Sequence, residues 1–308
     1  MGRIMSSNVF KRDARARLLT GLALVTLVTL VSGAGRTSGD QAAGGARLPA
    51  QSYPGYTLVW ADEFDRDGSP DQANWNFENG FVRNQELQWY QPDNARVEAG
   101  HLVIAGRRER RPNPNYVAGS SDWKRNREFA EFTSSSLITR GLHQWQYGRI
   151  EMRGRIDVRP GMWPAFWTLG AGGAWPHNGE VDIMEYYRGD LLANAAWGGA
   201  KRGQAIWDDS RTPIASLGGA DWAGRFHVWR MEWDEDLIQL FVDDRLLNEI
   251  DLKKTVNEDG SGRNPFRQPH YLIVNLAIGG QGGDPGTTGF PARFEVDYIR
   301  VYQKAGKG

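Results

Sequence analysis

From about residue 56 the chain is written in short runs of alternating apolar and polar residues. "TLVWADEF", "HLVIAGRRE", "SSLITRG", "YGRIEMRGRI", "HVWRMEWDED", "IQLFVDDRLL", "HYLIVNLAI" and "FEVDYIRVYQ" are set apart by Gly, Asp, Asn and Pro turns. A period of two places alternate side chains on opposite faces of a strand, so each run can bury one face and wet the other. No stretch beyond residue 50 carries a long, capped helical pattern, and no 20 to 50 residue repeat is present. These signals predict an all-β sandwich of two antiparallel sheets.

The N-terminus has a different character. Lys11, Arg12, Arg15 and Arg17 precede the apolar run "LLTGLALVTLVTLV", residues 18–31, and the small residues Ser32 and Ala34 follow it. This is the order of a secretory signal, short for a membrane span, with an uncleaved anchor as the alternative. The expected division is a signal peptide over 1–34, a disordered linker over 35–50 and one catalytic domain over 51–304. The mature form is then exported, free of the membrane and monomeric. There is no Cys, so an exported fold must hold without disulfides, as a core of this size can.

Charge excludes more than it selects. The 37 basic and 37 acidic residues balance, so nothing in the electrostatics points to nucleic acid or an anionic surface. The five histidines are scattered without metal-ligand spacing, and the glycines of "IGGQGGDPG" lead into Asp-Pro-Gly instead of a helix.

One segment concentrates chemistry. "NGEVDIMEYY", residues 178–187, holds three carboxylates within six residues. In a regular strand Glu180 and Asp182 share a face and Glu185 falls on the other; one extra residue, for which Met184 is the obvious candidate, returns Glu185 to their side. A solvated strand face is the plain alternative. The tryptophans weigh against it, since Trp163 and Trp167 in "GMWPAFWTLG" and Trp175 lie close by in sequence. Sugar rings stack their C–H faces on Trp, and their hydroxyls need carboxylate partners. Most of the 13 tryptophans are nonetheless expected in the core. Retaining glycoside hydrolysis needs two carboxyl groups about 5 to 5.5 Å apart. At about 3.3 Å per residue the α-carbons of Glu180 and Glu185 lie on the order of 13 Å apart, a gap that two leaning Glu side chains and sheet curvature narrow.

"GEVDIMEYY", together with "GMWPAFWTLG", "YGRIEMRGRI", "FVRNQELQWY" and "VDYIRVYQ", resembles glycoside hydrolase family 16, the laminarinase-like retaining endo-β-glycanases, from about Tyr56 to Gln303. The resemblance implies a β-jelly-roll with a concave substrate cleft. It implies Glu180 as nucleophile, Asp182 as its assistant and Glu185 as acid/base, in the bulged "ExDxxE" form. The activity it implies is double-displacement hydrolysis of β-1,3-glucan or mixed-linkage β-glucan, a polysaccharide partner, with no cofactor for catalysis. The alternatives are a galactan hydrolase of the agarase or carrageenase type, for which "RRERR" and "WKRNRE" could supply cations, and a non-catalytic glucan-binding protein. Laminarinases often carry a histidine shortly after the acid motif; here "LLANAAWGG" has none, and Trp197 is expected to stack on sugar with Trp163 and Trp167. Arg83 and Asn84 are expected polar partners. The family's structural Ca2+ would fall on Glu63, the carbonyl of Gly100, and Asp297.

Overall fold

The computed structural model describes residues 49–305. The expected signal peptide and all but the last two residues of the expected linker lie outside the described residues. The described chain folds into two antiparallel eight-stranded sheets. The first runs in the order Arg245–Asp251, Leu237–Val242, His227–Trp233, Gly148–Arg155, Ala292–Lys304, His101–Gly106, Ala95–Glu98, with Tyr56–Asp62 also paired to Ala292–Lys304. The second runs Ala205–Asp208, Asp190–Gly198, Glu180–Tyr187, Met162–Gly170, His270–Ile278, Ser136–Ile138, Asn76–Phe77, with Arg211–Pro213 added along Asp190–Gly198. Their long crossovers give the sandwich expected from the alternation. Among the described residues the only α-helix is the five-residue Gly219–Ala223.

The alternation sorts each strand between core and exterior. In His227–Trp233, Trp229, Met231 and Trp233 point inward and are at most 3% exposed, while the residues between them are half-buried. From the second sheet Phe166, Ile183, Met184, Leu272, Val274 and Leu276 meet them in one apolar cluster. At about 25 cal/mol per Å² of apolar surface removed from water, this cluster is the main stabilising term. "IQLFVDDRLL" is a hairpin and not a single strand: Asp243 takes φ 52°, and the chain reverses between Leu237–Val242 and Arg245–Asp251. An Asp tolerates that left-handed conformation where a β-branched residue would not.

The His270–Ile278 strand is buried at every position. Its even-numbered residues Leu272, Val274 and Leu276 join the core, and Tyr271 and Ile273 form a second small cluster with Ala165 and Trp167 on the outer face of the sheet. That outer face is therefore roofed by flanking segments, and the acids lie on it.

Candidate active site

The acid strand, Glu180–Tyr187, lies between Met162–Gly170 and Asp190–Gly198. Glu180 pairs with Leu169 and Ala196, Asp182 with Trp167 and Asn194, and Glu185 with Ala165 and Leu192. Both ladders slip between Asp182 and Glu185, so the strand carries a β-bulge there. The extra residue is not Met184 alone. Met184 keeps Phe166 as its partner, Ile183 has none on that side, and both are buried in the core at 1% and 0% exposure. Two consecutive inward side chains in place of one are what return Glu185 to the face of Glu180 and Asp182.

Each glutamate is held by an indole. Trp175 Nε1 donates to Glu180 Oε2 at 2.7 Å, and Trp163 Nε1 donates to Glu185 Oε1 at 2.6 Å. Burial pushes Glu180 up to about 7, opposed by the Trp175 hydrogen bond and the Arg83 charge. Burial likewise pushes Glu185 up to about 7; the Trp163 hydrogen bond and Arg211 oppose it, while Glu180 and Asp209 repel the charge. Asp182 is driven well above the usual carboxylate range by burial and by both glutamates. It therefore keeps its proton and shares it with Glu180 in a hydrogen bond that favours the glutamate's charged form. Asn194, whose Oδ1 accepts the Ser210 N–H at 3.0 Å, turns its amide group to Asp182. The arrangement can present one ionised carboxylate beside one protonated carboxylic acid, which is what a two-carboxylate glycosidase requires.

Of the expected binding residues, the structure brings Trp163, Trp167 and Arg83 to this face. Trp163 is wedged in place: its ring meets Tyr187 edge-on at 5.6 Å, and a Cβ on Gly280 would lie 3.3 Å from it. Trp167 donates to Asn275 Oδ1 at 2.7 Å, and the Arg83 guanidinium sits 5.0 Å over its ring. Arg83 donates to Glu78, leaving Nη1 buried with no partner. Asn84 is exposed, with a long 3.4 Å contact to Glu86.

Trp197 does not line the site. Its strand partner parity is that of Ala193 and Ala195, one residue out of step with Asn194 and Ala196, so its side chain enters the core. Two other tryptophans are exposed near the acids. Trp175 and Trp207 are 45% and 41% exposed, and Trp207 stands opposite Ala196, which itself stands opposite Glu180. Trp175 could have been found from its distance of five residues to Glu180; Trp207 carried no signal, because its place depends on the register of an adjoining strand.

The residues expected to hold calcium are engaged otherwise. Glu63 accepts both Nε and Nη2 of Arg300 at 2.8 Å, and Asp297 accepts Arg153 Nη1 at 2.6 Å. Carboxylates already neutralised by guanidinium groups do not fit the oxygen cage that calcium needs. Among the described residues no group of three or more His, Asp or Glu side chains could hold a metal ion.

The chain is similar to known proteins over most of its length. Residues 90–300 match the model for "Glycosyl hydrolases family 16". A β-glucanase of Rhodothermus marinus is 37% identical over 81% of this chain and 86% of its own length. The laminarinase catalytic domain of Thermotoga maritima superimposes with a TM-score of 0.67 at 34% identity, over 82% of this chain and 99% of that one. A non-specific endo-β-1,3(4)-glucanase gives a TM-score of 0.68 at 36% identity, over 84% and 95%. With its three carboxylates on the bulged strand, this chain belongs to glycoside hydrolase family 16 and is a glycoside hydrolase.

Proposed function

We propose that the protein is an exported, monomeric endo-β-glucanase that cleaves β-1,3-glucan or mixed-linkage β-glucan with retention. The observation that carries this is the bulge at Ile183 and Met184, which sets Glu180 and Glu185 on one face with Asp182 between them. Glu180, whose ionised form is favoured by the Asp182 proton and the Trp175 N–H against the effect of burial, attacks the anomeric carbon. Glu185 gives its proton to the departing glycosidic oxygen, and its carboxylate then takes a proton from the water that releases the sugar from Glu180. Ionisation of Glu185 is eased at that second stage by the Trp163 N–H.

The β-glucan substrate is supported by relatives named as β-glucanases and laminarinases, although a keratan-sulfate endo-1,4-β-galactosidase at 26% identity is also among the relatives. A cleft for sulfated galactans should gather free cations, and the arginines of the two basic runs are engaged otherwise. Arg108 lies over Phe132 and Phe290, Arg110 over Phe129, and Arg127 lies 3.7 Å over Phe81 while donating to the Glu86 carbonyl. A non-catalytic glucan binder has no use for an intact pair of raised carboxylates. The test is release of new reducing ends from laminarin, lichenan, agarose, carrageenan and xyloglucan. Laminarin or lichenan should be cleaved first, and cleavage of agarose or carrageenan alone would overturn the assignment.

A further inference from the structure

The structure places an imidazole against the strand beside the acids. Gly198, at the end of Asp190–Gly198, has the parity of Asn194 and Ala196 and so presents the face on which Glu180 stands. A Cβ built on Gly198 would lie 2.3 Å from His177 Cδ2 and 2.6 Å from its Cγ. The imidazole therefore rests directly on the Gly198 backbone. Gly198 does not take a positive φ, so its backbone conformation is open to any residue, and the ring accounts for the glycine.

His177 follows Trp175 by two residues in the loop entering the acid strand, and Trp175 is the donor to Glu180. Asn257 staples the arrangement: its Nδ2 donates to the His177 carbonyl at 2.8 Å and its Oδ1 accepts the Gly198 N–H at 2.8 Å. The ring lies with Nε2 3.7 Å from Asp259 Oδ2, and Asp259 is itself fixed by accepting the Ser261 N–H. Nδ1 has no partner among the described residues, and the side chain is 25% exposed.

We propose that His177 is a substrate-binding residue, whose Nδ1 hydrogen-bonds a hydroxyl of the sugar on the Glu180 side of the scissile bond. The exposed indoles of Trp175 and Trp207 offer that ring apolar surface on the same side of the site. The inference rests on the proposed glycanase reading, and its test separates the two. Kinetics are measured on whichever polysaccharide of the panel the wild-type enzyme cleaves fastest. If that is not a β-glucan, the substrate assignment falls while the comparison below still decides His177.

His177→Ala should raise KM about fivefold to tenfold, the loss of one hydrogen bond in a partly desolvated site, with kcat changed less than about twofold. Gly198→Ala should do the same with His177 still present, because the new methyl displaces the ring. The double variant should be no worse than either single one, since both remove the same contact. Asp259→Asn, an exposed change that leaves the core untouched, should raise KM about twofold to threefold and keeps the test open if His177→Ala folds poorly. Unchanged KM in the variants that fold, or losses that multiply in the double variant, would overturn the proposal.

Discussion

Glu180→Gln should make the protein more stable at alkaline pH while abolishing its turnover. Burial raises the carboxyl from 4.5 to about 7 in the folded protein. The folded state therefore binds this proton more tightly than the unfolded chain. The stability linked to it is fully present below pH 4.5 and is lost as pH rises through about 7. At 1.36 kcal/mol per pH unit, the rise from 4.5 to about 7 amounts to roughly 3 kcal/mol once the group is ionised. Partial exposure of the carboxyl reduces that to about 2 kcal/mol. Glutamine carries no charge, and its carbonyl can still accept the Trp175 N–H. Urea unfolding at several pH values between about 4 and 9 measures the difference. Variant and wild type should coincide at the acid end and separate by about 2 kcal/mol at the alkaline end, about 4 to 8 °C in Tm for a domain of this size. A separation that does not grow with pH, or a wild type more stable at the alkaline end, would refute the argument that burial strains this carboxylate.

Glu180→Gln and Glu185→Gln should each lose at least about 10²-fold to 10⁴-fold in kcat with the fold intact, and near wild-type activity in pure protein would remove that residue from the mechanism. Asp182→Asn keeps a donor toward Glu180 and should lose less. Trp163→Phe removes the hydrogen bond that favours ionised Glu185, so the alkaline limb of the kcat/KM profile should move to higher pH; an unmoved or lowered limb would contradict the role given to the indole. Trp197→Ala should cost about 3 to 5 kcal/mol of stability with unchanged kcat per folded molecule, whereas a kinetic defect in a stable protein would return Trp197 to the substrate.

The sandwich was legible because period-two alternation is a local property, and each strand shows it separately. The acid triad was legible for the same reason: a spacing of two followed by three can be reconciled with one face only through a bulge. What lay beyond the sequence depends on register between strands. Trp197 is expected in the cleft where the family's histidine is missing, yet a one-residue difference in parity sends it into the core. Trp207 reaches the cleft because its strand pairs Trp207 with Ala196. His177 was invisible as a site residue, since its place is fixed by contact with Gly198 and by Asn257 and Asp259 far along the chain. The expected calcium ligands show the converse. Whether two acids hold a metal or an arginine is decided by Arg300 and Arg153, which any motif confined to the acids leaves out.

The central claim is that the bulge makes Glu180 and Glu185 a close pair acting through a covalent glycosyl-enzyme. Proton NMR of the anomeric signals during early hydrolysis, before mutarotation mixes them, tests it directly. The first product should carry the β configuration of the substrate. An α anomer appearing first would mean inversion by a water held between wider-spaced carboxyl groups, and Glu180 could not be the nucleophile.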